Sequence, residues 1–225
     1  MKYLLLLSFY LGNSVVAQDL TRINKDLSLP DLLTYDREIR IYRGFGATNY
    51  TSIFRLYQNR TTEWRAEFYE HNSKIEGVTN LKTEKWVLKA KGNPEKIWLN
   101  FLRSHADVLP TQSDIQWKLA DRGEIREING KLELMANELV FADGIGYLIQ
   151  LRNEHSRNEF GYSNPESSLE FYPEIDELIY VKEIIDIVRT HFDIWLNRPD
   201  WTYILIFHPA DATILRLLNL LVTKK

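Results

Sequence analysis

The chain contains no cysteine. That absence excludes disulfides, Cys-ligated zinc, iron–sulfur clusters, thiol catalysis and a lipid-modified N-terminal cysteine. Basic charge is not in excess either: 28 Lys and Arg stand against 31 Asp and Glu, a net charge of −3. This argues against a nucleic-acid binder held by a basic surface. There is no internal repeat and no low-complexity segment. The P-loop, HExxH, GxSxG and EF-hand signatures are all missing. Gly44-Phe45-Gly46 follows a strand pattern as a dinucleotide fingerprint does. Asn49 stands where the third glycine belongs and a strand pattern follows, so a flexible turn is expected. The five histidines, His71, His105, His155, His191 and His208, share no helical ligand spacing, and no metal or cofactor is expected.

What remains is an ordinary globular composition, 44% hydrophobic and 26% charged over 225 residues. That length corresponds to one domain, or one plus a small appendage, at about 150 residues per domain. The first seventeen residues read as an export signal: Lys2, an apolar run from Tyr3 to Gly12, then Val15 and Ala17 before a cut ahead of Gln18. The apolar run is too short to span a bilayer, which takes about 20 residues. Removing 17 of the 225 residues leaves a mature chain of 208. No transmembrane span is expected in it.

Strict alternation marks strands at 37–43 (REIRIYR), 52–58 (SIFRLYQ) and 62–70 (TEWRAEFYE), with a weaker strand at 81–90. Ile39, Ile41, Phe54, Leu56, Trp64 and Phe68 fall on the apolar face. Asn93 caps a helix that begins at Pro94 and runs to about Asp107. Ile115, Trp117 and Leu119 alternate, and Asn129-Gly130 and Asp143-Gly144 suit type I′ turns, so 115–152 reads as a β-meander. A short strand follows at 158–163. Residues 162–173 read as turn chemistry or, alternatively, a binding loop. From Glu174 to about Trp195 an apolar stripe through Ile184 and Val188 marks the longest helix. A strand at 203–207 and a short helix at 211–222 form a C-terminal tail, 198–225, outside the main domain of residues 18–197. Trp64, Trp86, Trp98 and Trp117 are expected in the core. Asn49 and Asn59 lie in glycosylation sequons, relevant only in a eukaryotic host.

One constellation carries binding chemistry. The opposite face of the first three strands gathers Arg40, Arg55, Tyr57, Glu67, Tyr69 and His71. Such a set binds an anion or a sugar through charge-assisted bonds and flat rings, or else is a solvated face crossed by ion pairs. A register that sets Arg55 opposite Glu67 and Tyr57 opposite Arg65 is attractive, and is the one expected.

The segments Glu38–His71, Leu81–Trp86, Ile115–Leu119 and Tyr172–Phe192 resemble a group of secreted proteins of the Bacteroidetes (flavobacterial) type that carry no assigned activity. The resemblance spans roughly residues 35–195. It implies an exported bacterial protein, periplasmic or secreted, and assigns no catalytic residue. The expected fold is α+β, a curved, mostly antiparallel sheet with two main amphipathic helices packed on it. Two functions fit: non-catalytic binding of an unknown partner or small ligand, or an exported hydrolase whose carboxylates and histidines meet only in the fold.

Overall fold

The computed structural model describes residues 20–45, 50–72, 83–120, 123–135, 138–141, 145–196, 204–207 and 217–218. The segment read as an export signal, with Ala17 and Gln18, the sequon residue Asn49, the expected Asp143-Gly144 turn and most of the tail lie outside them.

The fold is α+β, built on a six-stranded sheet in the order β4-β3-β2-β1-β8-β9. Its strands are β1 (Arg37–Arg43), β2 (Tyr50–Gln58), β3 (Trp64–Asn72), β4 (Thr83–Leu88), β8 (Gly146–Asn153) and β9 (Ser156–Ser163). Every neighbouring pair is antiparallel. The expected register holds: Arg55 faces Glu67 and Tyr57 faces Arg65. Alternation then sends two apolar rows to one face. One row runs through Trp86, Phe68, Phe54, Ile41, Ile149 and Phe160.

Two helices cover that face. Helix α2 (Pro94–Arg103) begins where Asn93 accepts the Glu95 N–H at 2.9 Å, and buries Ile97, Trp98 and Phe101. It ends at Arg103 with Ser104 as its cap, a turn short of the sequence reading. Helix α5 (Asp176–Phe192) carries Asp176 and Glu177 in its first turn and Arg189 and His191 in its last, matching its dipole. Its stripe of Leu178, Val181, Ile184, Ile185, Val188 and Phe192 is buried in one cluster with Ile39, Ile41, Phe54 and Leu56. The Phe54 and Phe192 ring centres are 4.8 Å apart. Burying each such aliphatic or aromatic side chain stabilises by about 1.5–3 kcal/mol, so this layer anchors the fold.

Several expectations fail, each for a local reason. Residues 115–119 are helical, not extended. Asp114 accepts from the Thr111 N–H (2.9 Å) and hydroxyl (2.6 Å), starting a 3₁₀ turn (Gln112–Ile115) that runs into α3 (Gln116–Leu119). Helical pitch buries Ile115 and Leu119 and leaves Trp117 74% exposed, so Trp117 is not a core residue. Trp98 is fully buried and Trp64 packs against the core, while Trp86 on the edge strand β4 is also exposed.

The meander does not form. Strands β5 (Glu124–Ile128) and β6 (Lys131–Met135) make a separate two-stranded ribbon around Asn129-Gly130, both at positive φ. Strand β7 (Glu138–Phe141) pairs with β10 (Ile204–Phe207), and β8 joins the main sheet beside β1. Residues 165–171 form helix α4 (Pro165–Phe171) in place of a turn or binding loop. In the tail, β11 (Leu217–Leu218) pairs with β10, where the sequence suggests a helix. Among the described residues no helix is long and apolar enough to cross a membrane.

Candidate functional site

The second face of the sheet is not open to water. Residues 20–26 form helix α1, and residues 27–35 continue from it across strands β1 to β3. Ile23 and Leu29 pack on Tyr42, Ile53 and Tyr69 in a second apolar cluster. The Tyr42 hydroxyl donates to Asn24 Oδ1 at 2.9 Å. The expected solvated face is thus a covered one. Arg40, Arg55, Tyr57, Glu67, Tyr69 and His71 are all buried.

The structure does bring five of these six together, around a residue that the sequence did not single out. Glu38 precedes Arg40 by two on β1, so alternation puts both on this face, and both are 0% exposed. Register sets Arg40 directly opposite Arg55. Two like charges are tolerable there because Glu38 Oε1 accepts from both Nε atoms at 2.8 Å. Glu38 Oε2 accepts the backbone N–H groups of Thr34 (2.7 Å) and Tyr35 (3.0 Å). The Arg40 guanidinium also donates to the carbonyls of Pro30 (2.5 Å) and Leu32 (3.3 Å). The covering segment is therefore fastened at four backbone positions by one ion pair.

Glu67 is a second hub. It accepts from Tyr69 (2.5 Å), Arg55 (3.4 Å) and Tyr57 (3.4 Å) and pairs with Lys85 at 2.8 Å. The Arg55 guanidinium lies 4.3 Å from the Tyr57 ring centre, and Tyr35 stacks on Tyr57 at 4.5 Å. His71 stands apart from this cluster. Its Nε2 lies 2.9 Å from Asp26 Oδ2 at the end of α1, and its buried Nδ1 has no hydrogen-bond partner among the described residues.

Electrostatics follow from these contacts. Burial pushes the Glu38 carboxyl up, but the Arg40 and Arg55 charges outweigh it and leave it below the usual carboxylate range. Glu67 is likewise held low, burial being outweighed by hydrogen bonds from Lys85 and Tyr69 and by the charges of Lys85 and Arg55. Burial and Glu67 raise the Tyr69 phenol. A carboxylate so held stays ionised and already accepts several donors. It is a poor general acid and has little free lone-pair capacity as a base. The cluster acts as a fastening between sheet and covering segment. Glu38, Lys85 and Tyr35 are its unforeseen members, and Asp26 is the unforeseen partner of His71. Only the parity of Glu38 with Arg40 signalled any of them.

A different surface is open. One face of the β5–β6 ribbon carries Ile125, Leu132 and Leu134, exposed to 74%, 75% and 68%. Among the described residues no group of three or more His, Asp or Glu is placed to hold a metal ion. No family model matches the chain, and no curated protein or solved structure is detectably similar to it.

Proposed function

We propose that the chain is an exported protein that binds a partner protein without catalysing a reaction, and that the partner docks on the β5–β6 ribbon. The export half rests on the charged, apolar and small-residue pattern of the first seventeen residues. The docking half is carried by one observation, the exposed apolar face of Ile125, Leu132 and Leu134. A lone two-stranded ribbon is marginally stable in water at best. Covering three aliphatic side chains on such a ribbon is therefore favourable.

The ribbon's other face is internally matched, with Arg126 bonded to Glu124 at 2.8 Å and opposite Glu133 in register. Glu127 is the charge on the apolar face, directly opposite Leu132. A second copy of this chain would bring its own Glu127 to that face. A partner with an apolar strip flanked by Lys or Arg complements it better. Against the hydrolase reading, the two buried carboxylates of the ionic cluster have lowered pKa values, whereas a general acid at neutral pH needs a raised one.

The test is photocrosslinking in the bacterial host with a photoreactive phenylalanine analogue in place of Leu132. The reading predicts one discrete adduct with a different protein, weakened by Ile125→Lys and by Glu127→Lys. An adduct with a second copy only, no adduct, or an adduct indifferent to both substitutions contradicts it.

A further inference from the structure

The helix-facing side of the sheet ends in a polar row beside the C-terminus of α5. Register carries it across six strands as Glu84, Glu70, Ser52, Arg43, Tyr147 and Tyr162. Three members of this row are paired. Glu70 accepts from the Tyr50 hydroxyl at 2.5 Å, Ser52 Oγ accepts from the Trp195 indole at 2.9 Å, and the Tyr162 hydroxyl donates to the Pro110 carbonyl at 3.1 Å.

Arg43 and Tyr147 differ. They are direct cross-strand partners in the middle of the row. Tyr147 is 3% exposed, and both its hydroxyl and Arg43 Nε are buried with no hydrogen-bond partner among the described residues. The Arg43 side chain approaches the phenol closely enough to pull its pKa down by charge and by side-chain contact, yet neither Arg43 Nε nor the Tyr147 hydroxyl has a well-formed hydrogen bond among the described residues. Buried polar atoms are nearly always paired, so two adjacent orphans in one row point to a ligand.

Their chemistry narrows the ligand. A guanidinium Nε–H only donates, and burial together with the nearby Glu166 charge keeps the Tyr147 phenol protonated, hence also able to donate. Two donors side by side call for an acceptor oxygen. The other nearby cation, Arg189, is already taken up by both oxygens of Glu166, at 2.6 and 2.9 Å. Arg189 also meets Asp186 at 3.3 Å, whereas among the described residues no carboxylate forms an ion pair with Arg43, so Arg43 is the one cation offered to a ligand there, which matches a monoanion better than a phosphate dianion. The Gly44 N–H bond to the Gly146 carbonyl (2.8 Å) holds the β1 and β8 ends together, and the Trp195 ring stands edge-on to Tyr147 at 6.2 Å.

We propose that Arg43 and Tyr147 form a carboxylate-binding site at this end of the sheet, with Trp195 as one wall. It is independent of the ribbon and of the partner proposed there. The test is an NMR titration of the intact mature chain with sodium acetate, at constant ionic strength in chloride, following the Arg43 Nε–H and Trp195 indole signals. Inorganic phosphate is the second probe.

The expected result is a saturable shift of both signals with acetate, a weaker response to phosphate, and binding about tenfold or more weaker in Tyr147→Phe, the loss of one charge-assisted partner. The Tyr147→Phe chain should melt no lower than the parent, because the hydroxyl it loses had no partner. Acetate should raise the melting point of the parent alone. Non-saturating drift, equal affinity in Tyr147→Phe, or tighter binding of phosphate would overturn the assignment. The first two outcomes would leave these atoms with buried water only.

Discussion

The two faces of one sheet are built on opposite principles. Rows two residues apart on β1 to β3 send Ile39, Ile41, Phe54 and Leu56 to the helices and Glu38, Arg40, Arg55 and Glu67 to the other side. The first face needs only shape, because apolar burial is non-directional. The second must satisfy every charge it buries. It does so by recruiting the backbone of residues 30–35 as hydrogen-bond partners. Burying these charges need not add net stability, since desolvation offsets much of their attraction. What the ionic face gains is a specified position for the covering segment. Apolar residues alone would leave that segment freer to slide.

This contrast breaks first at its strongest layer. Ile184→Asp places a charge in the buried stripe beside Val181 and Val188, and should abolish soluble folded protein, read by expression and circular dichroism. The milder Ile184→Ala should cost about 2–5 kcal/mol in urea denaturation. On the other face, Glu38→Ala leaves Arg40 without a counter-ion, facing an Arg55 held only by Glu67 at 3.4 Å, and should cost about 3–5 kcal/mol. A solvated face would show about 0–1 kcal/mol for the same change.

Acid sharpens the comparison. Glu38 and Glu67 have folded pKa values below their ordinary 4.5. Their contribution is therefore fully present above that value and is lost as pH falls through the lower folded values. Melting points followed downward from neutral pH should fall in this acid range, and Glu38→Gln should flatten the fall. The smallest effect is the Arg55–Glu67 pair at 3.4 Å, where a double-mutant cycle should give a coupling of about 0.5–1 kcal/mol.

The helix-facing half of this architecture was legible because period two and period 3.6 are direct imprints of burial. The Arg55–Glu67 register was legible because only one alignment of β2 on β3 makes the charges attract. The covered face was not. Its polar residues look like wet ones until residues 20–35 are placed on them. The spacing of Leu20, Ile23 and Leu27 was a faint signal of an apolar stripe there. At 115–119, alternation of Ile115, Trp117 and Leu119 suggested a strand. The Thr111–Asp114 contact outweighed it, and a hydrophobic pattern over five residues does not separate a strand from a helical turn. The orphans at Arg43 and Tyr147 had no sequence signal, since they exist only once β1 and β8 pair.

Hydrogen exchange at the Thr34 and Tyr35 amides reports on the seal over the ionic face, because both donate to Glu38 and neither belongs to a helix or strand. A sealed ionic face predicts that both are protected to a level approaching global unfolding, and that Glu38→Gln strips this protection while sparing the α5 amides. Exchange of Thr34 and Tyr35 at the rate of an unstructured peptide in the parent chain would contradict it.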